Sequence, residues 1–195
     1  MRRALHLSSG DIDLALAQVM DLITLDKDKR LHVRNRRDLL QLVLDRDHGP
    51  GGITSRWTHP QNLHEQARLV LQLGTTFISG DLAAQHYTGL GTPEHVVAYC
   101  YPAHDTDPAD QNLWDLGFTP ATTDDYTLEF VFPADDTLRW TRPRTGRFST
   151  NADPIITAID VDRTRTSGRE HELVEALHTG VLAGTWHENR RGDLS

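Results

Sequence analysis

Cysteine occurs once in the 195 residues, at Cys100, so no disulfide within the chain is available to staple the fold. The thiol lies in an apolar run, where it packs as a small hydrophobe and does not ionise into a nucleophile. A chain without disulfides has the reducing cytoplasm as its default compartment. Lysine is almost as scarce, with Lys27 and Lys29 as its two occurrences. No apolar run reaches the length needed to span a bilayer, and the mean hydropathy is -0.50, so a soluble chain without a membrane partner is expected. The opening MRRALHLSSGDIDLAL has the basic start of a signal peptide, but Ser8, Asp11 and Asp13 interrupt its apolar part, and no secretion is inferred. Internal repeats, a Walker loop, zinc spacing and a nucleophile elbow are all missing from the pattern, and neither order nor flanking residues single out a Ser-His-Asp triad. The motifs therefore name no catalytic residue, no metal site and no cofactor.

What is present is length enough to bury a core, in one domain or one with a small appendage. The formal charge of -8 argues against a chain that binds nucleic acid over its whole surface. The charge is unevenly placed, however. Residues 1–50 hold nine Lys and Arg against eight Asp and Glu, leaving eleven against twenty in the rest. Between Lys27 and Arg37 stand Lys27, Lys29, Arg30, Arg34, Arg36 and Arg37 with a single acid, Asp28.

Ser8-Ser9-Gly10-Asp11 has the form of a helix N-terminal box, and Ile12, Ala15, Leu16, Val19 and Ile23 recur at helical spacing, so a helix is expected from Ser9 to Leu22. Ile23-Thr24-Leu25 and Arg30 to Arg34 are short alternating runs around the polar turn Asp26-Lys27-Asp28-Lys29, which predicts a hairpin. A helix followed by a basic hairpin is the second half of a winged helix-turn-helix, with the helix in the major groove and the hairpin tip on backbone phosphates. The same charged tip also suits any solvated turn. The two helices that precede this pair in a winged helix do not precede it here, so a partial module is expected over residues 1–48. Arg36 to Asp47 reads as a helix with Leu39, Leu40, Val43 and Leu44 on one face, ended by Gly49-Pro50-Gly51-Gly52, the clearest domain boundary.

A mixed α/β domain is expected over residues 53–183, with 184–195 as a tail. Its predicted parts are a strand from Ile53 to Trp57 and a helix opened by Pro60 that buries Leu63, Ala67, Val70 and Leu71. A short helix follows over Gln111 to Phe118. Tyr126 to Phe132 predicts a strand with one buried side, and Thr137 to Thr141 repeats the alternation with Leu138 and Trp140. Asp153-Pro154 opens a helix burying Ile155, Ile156 and Ile159, and Arg169 to Leu182 closes the fold with Leu173, Val174, Leu177 and Val181 inward. Arg139, Arg142, Arg144 and Arg147 follow one another without an acid. They either grip nucleic acid or an acidic partner protein, since guanidinium forks suit phosphate and carboxylate alike, or belong to a solvated loop. His59 and His64 lack a third ligand for a metal and read as surface residues, as do His171 and His178.

The centre is Thr76 to Tyr101, TFISGDLAAQHYTGLGTPEHVVAYCY, which predicts strand, Ser-Gly-Asp turn, helix, Gly-Pro loop and a strand buried on both faces. Ser79, Gly80 and Asp81 are placed to cap the helix with side-chain oxygens and form a candidate phosphate-binding turn. The order resembles the start of the nucleotidyltransferase-like fold, in which a Gly-Ser pair precedes two strand aspartates that hold magnesium. His95-Val96-Val97-Ala98-Tyr99-Cys100 carries no carboxylate for such an ion. Asp105, Asp107 and Asp110 come later and read as a solvated acidic turn. The stretch is therefore expected to be a scaffold without catalytic function.

Taken together, RLHVRNRRDLLQLVLDRD, NLHEQARLVLQL leading into GTTFISGDLAAQHYTGL, and NADPIITAIDVDR followed by SGREHELVEAL resemble the AbiEi-type antitoxins of bacterial toxin-antitoxin and abortive-infection pairs. The resemblance spans about Ser8 to Leu182. It implies an α+β protein with a partial winged helix-turn-helix followed by a mixed-sheet, nucleotidyltransferase-like but non-catalytic domain. The function implied is transcriptional autorepression at the chain's own promoter DNA, together with neutralisation of a cognate nucleotidyltransferase-type toxin protein. Carried over, Lys27, Lys29, Arg30 and Arg34 would contact phosphates, with Arg36 and Arg37 in the same basic stretch, and residues near Ser8 and Ser9 would face base edges. Arg139, Arg142, Arg144 and Arg147 would be the partner-binding set. Two competing functions stay open. One is an enzyme that uses the Ser79-Gly80-Asp81 turn to transfer a phosphoryl or nucleotidyl group to a partner. The other is a plain protein-binding module.

Overall fold

The computed structural model describes residues 9–28, 30–47, 49–101, 109–122, 125–141, 149–164 and 170–185. The architecture is a mixture of helices and strands with one mixed sheet, and the chain forms two compact units, Met1–His48 and Gly49–Ser195.

In the first unit, helix α1 (Ser9–Val19) runs into a single 3-10 turn, Met20–Leu22, and then into a hairpin of β1 (Ile23–Leu25) and β2 (Leu31–Val33). The pairing sets Ile23 opposite Val33 and Leu25 opposite Leu31. Opposite residues share a sheet face, so the side chains of Ile23, Leu25 and Val33 lie on one face and those of Thr24 and His32 on the other. Helix α2 (Arg36–Arg46) starts at Asn35, whose side chain accepts from the amides of Arg37 and Asp38, two donors that the first helical turn would otherwise leave free. The core of this unit is thin. Leu40 is its one fully buried apolar side chain among the described residues, while Leu14, Met20, Leu25 and Val33 are exposed.

The second unit is organised by a five-stranded sheet in the order β4-β5-β7-β3-β6. Its strands are β3 (Ile53–Thr58), β4 (Thr75–Ser79), β5 (Val96–Tyr101), β6 (Thr119–Pro120) and β7 (Leu128–Phe132). Only β5 and β7 run parallel, and helix α5 (Ala109–Asp115) lies in the crossover between them. All other pairs are antiparallel. The register places Ile78, Ala98, Phe130 and Ser55 in one row, and Ser79, Val97, Glu129 and Arg56 in the next. Neighbouring rows point to opposite sides of the pleat, so the sheet has one mainly apolar face and one that carries charge.

The apolar face holds Trp57, Ile78, Val96, Ala98, Cys100, Leu128 and Phe130, packed with Ala67 and Val70 of helix α3 (Leu63–Val70), Leu113 of α5, and Phe118. Burying each of the large side chains contributes about 1.5–3 kcal/mol, which makes this layer the main source of cohesion. Against the other face lies helix α7 (Pro154–Arg163), which in turn packs with helix α4 (Gly80–Thr88) and helix α8 (Glu170–Ala183). The outer edge of β4 is covered by Thr150–Ala152, where the Ile78 amide donates to the Thr150 carbonyl and the Ala152 amide to the Ile78 carbonyl. A covered edge cannot recruit a foreign strand.

Several expectations are corrected. Pro60 does not open α3. Asn62 does, accepting from the Glu65 amide, because its carbonyl oxygen can satisfy a free helix N–H and a proline ring cannot. The alternation of Tyr126 to Phe132 predicts one buried side, yet Glu129 and Val131 are as buried as Leu128 and Phe130. The strand lies inside the sheet with helices on both faces, so alternation between charged and apolar residues does not separate solvent from core. Thr137–Thr141 is a helix, α6, and not a strand. Asp135 accepts from the Thr137 amide at its start, and an alternation five residues long is too short to distinguish the two periods. The Asp153-Pro154 start holds, with Asp153 accepting from the amides of Ile155 and Ile156. Cys100 is buried, and its thiol donates to the Leu73 carbonyl at 3.1 Å; burial pushes its pKa up, as expected for a structural cysteine. Asp105 and Asp107 lie outside the described residues.

Candidate functional site

The hairpin of the first unit is built around Asp26. One carboxylate oxygen accepts from the amides of Asp28 at 2.9 Å and Arg30 at 2.8 Å, and the other meets His32 Nε2 at 2.8 Å. The Asp26 amide returns a bond to the Arg30 carbonyl. The bond from His32, then that from the Arg30 amide, holds the Asp26 carboxyl below its ordinary range. A turn whose amides are tied to one aspartate has little freedom left, which presents the side chains of its tip in a defined arrangement. Lys27, Arg30, Arg34, Arg36 and Arg37 are all exposed around it. None of these five belongs to an ion pair among the described residues. Ser9 opens α1, whereas Ser8 and Lys29 lie outside the described residues.

The second unit carries a buried ionic cluster on the polar face of its sheet. Glu129 of β7 and Asp160 of α7 are both fully buried. Arg163, one turn beyond Asp160, reaches Asp160 Oδ1 at 3.0 Å and Glu129 Oε1 at 2.5 Å through the same nitrogen. Arg56 of β3 approaches the other oxygen, Oε2, at 3.5 Å. Ser79 donates to Asp160 Oδ2 at 2.5 Å, and Tyr99 donates to the same carboxyl at 2.9 and 3.0 Å. Burial pushes the Asp160 carboxyl up, opposed by Arg163, Ser79 and Tyr99; burial and the neighbouring Asp160 push the Tyr99 hydroxyl up as well. The cluster ties β3, β4, β5, β7 and α7 together through charge.

Beside it, Asp81 Oδ2 accepts from the amides of Glu94 and His95 at 3.2 and 3.3 Å, and the His95 ring lies 4.7 Å from the ring of Tyr126. The Arg56 guanidinium stacks 4.8 Å from the centre of the same tyrosine ring.

This arrangement corrects the expected role of Ser79, Gly80 and Asp81. Ser79 occupies the N-terminal cap position of α4 but offers no side-chain oxygen to the helix, because Asp160 holds it. Asp81 spends its carboxylate on the loop before β5. Gly80, at φ +68°, makes the strand-to-helix turn, and a β-carbon there would stand 3.0 Å from Val97 Cγ2. All three residues are buried, so the turn is sealed and does not cradle a phosphate.

The arginine set is also only partly as expected. Arg139 is not unpaired. It meets Asp136 at 3.2 Å and stacks 4.2 Å from the Tyr101 ring centre. Arg142, Arg144 and Arg147 lie outside the described residues. No group of three or more potential metal ligands occurs among the described residues, and no described helix is long and apolar enough to cross a membrane.

Glu129, Asp160, Arg56 and Arg163 carry no sequence motif. A weak signal exists in retrospect: Glu129 interrupts an otherwise apolar strand, and Asp160 sits among Ile155, Ile156, Ile159 and Val161. A charge inside an apolar element is costly unless paired. Comparison of the chain with family models, with curated proteins and with solved structures found no match.

Proposed function

We propose that the chain is an antitoxin-like transcriptional regulator, built like the AbiEi-type antitoxins, that holds its own promoter through the first unit and counteracts a nucleotidyltransferase-type toxin through the second. In this proposal residues 1–48 form a partial winged helix-turn-helix with the β1-β2 hairpin as its wing. Residues 53–183 form a nucleotidyltransferase-like scaffold without chemistry of its own.

The observation that carries the DNA half is the Asp26-centred hairpin with exposed Lys27 and Arg30 at its tip and Arg34, Arg36 and Arg37 behind it. Phosphate contacts need cations that are accessible and unpaired, and these five meet both conditions among the described residues. The scaffold half is supported by the fate of the carboxylates. Glu129 and Asp160 are neutralised by guanidinium groups, so they are not free to hold a divalent ion, which takes several oxygen ligands. A transfer reaction starting at Ser79 is disfavoured by the burial of its hydroxyl against Asp160.

The test is retention of the operon's own promoter fragment as salt is raised. Lys27→Ala, Arg30→Ala and Arg34→Ala together are expected to lower retention and reduce the slope of log affinity against log salt by about 3, near 0.9 for each phosphate no longer neutralised. Unchanged retention in the triple variant rejects DNA binding by the hairpin. Co-purification with the protein encoded beside it tests the toxin half.

A further inference from the structure

Arg56 and Arg163 come from different elements, a strand and the end of a helix, and flank one buried carboxylate, with one arginine at each oxygen of Glu129. Glu129 is fully buried, yet the two arginine side chains keep 33% and 39% of their surface exposed. Each guanidinium has five N–H donors in a planar fork. Arg163 uses Nη2 for Glu129 and Asp160, and Arg56 directs Nε toward Glu129 without completing a hydrogen bond. The remaining nitrogens of both forks have no partner among the described residues. Arg56 is also oriented by the Tyr126 ring, whose centre lies 4.8 Å from its guanidinium. Two part-exposed arginine side chains, balanced in charge by the buried Glu129 and Asp160, keep fork donors that an anion can take.

We propose that Arg56 and Arg163 together bind a phosphoryl group, supplied either as free phosphate or as the phosphate of a nucleotide. Two forks approaching from separate elements can each take a different edge of a tetrahedral anion, whereas a planar carboxylate presents a single edge. Tyr126 is buried, so its ring is not open to a base, and the phosphoryl group is the recognised part. The site is distinct from the sealed Ser79-Gly80-Asp81 turn and does not depend on the regulatory function proposed above.

Equilibrium dialysis of the full chain against labelled inorganic phosphate and, separately, labelled AMP, at constant ionic strength, tests the site. Saturable binding is expected for the wild type and at least tenfold weaker binding for Arg56→Lys, which keeps the charge but removes the fork. Circular dichroism of the variant should match that of the wild type. Binding of both ligands makes phosphate itself sufficient, and binding of AMP alone makes a nucleotide the source. The proposal is overturned if neither ligand binds, or if Arg56→Lys binds as the wild type does. Should Arg56→Lys lose the native circular dichroism, the wild-type melting midpoint in AMP against an equal concentration of adenosine, at constant ionic strength, decides: a saturable rise with AMP alone supports the site, and no such rise overturns it.

Discussion

Asp26 shows how one side chain can set a local structure. Three donors converge on its carboxylate, and their bonds are strongest with the ionised form. Its pKa is depressed in the folded chain, so its contribution is complete above the pKa of the unfolded chain and is lost as pH falls through the folded value. The hairpin is expected to loosen below about pH 4, as seen in faster amide exchange at Asp28 and Arg30, and Asp26→Ala, which removes the acceptor, is expected to show that exchange already at neutral pH. Asp160 is the counterpart in the interior. Removing its carboxyl strands the buried hydroxyls of Ser79 and Tyr99 and takes one partner from the part-exposed Arg163. Asp160→Ala is expected to cost about 3–5 kcal/mol in urea unfolding, the range for breaking a buried pair from one side. A loss under about 1 kcal/mol would show that the cluster contributes little cohesion.

Elements were legible where their signals are local. Asp153 and Pro154 announce α7 by their positions alone, since capping needs only an acceptor three residues or fewer from the free amides. Asp153→Ala should therefore cost about 1 kcal/mol, measured by the same unfolding. The turn from β4 into α4 was legible only in part. Glycine at position 80 foretold a backbone that other residues rarely adopt, but not that Ser79 turns away from the helix to reach a residue 81 positions later. Gly80→Ala is expected to destabilise by more than about 1 kcal/mol, through its positive φ and the approach to Val97. The segment 137–141 misled because Leu138 and Trp140 alternate as a strand would, while five residues hold too little of either period.

At the scale of the molecule, charge is the feature that links sequence to function. The surplus of acid lies outside the first fifty residues, so the proposed binding to DNA would be carried by the basic stretch and opposed by the rest. The six cations from Lys27 to Arg37 bound the number of phosphates neutralised, and the salt slope of promoter retention is expected to be no steeper than about -5. A steeper slope would assign phosphate binding to arginines elsewhere.

Composition alone excluded disulfide stapling and the shortness of the apolar runs ruled out a membrane-spanning helix, while short-range patterning placed the hairpin, the cap of α7 and the doubly buried β5. These depend on neighbours within a few residues, which is the distance over which capping, turn geometry and periodicity act. Tertiary structure decided the rest: which strands pair, that Glu129 is interior, and that Arg56, Ser79, Tyr99, Asp160 and Arg163 meet it or one another across the fold. Such pairings carry no periodic trace in the chain, because a buried charge is stabilised by a partner whose sequence position is set only by how the sheet and helices come together.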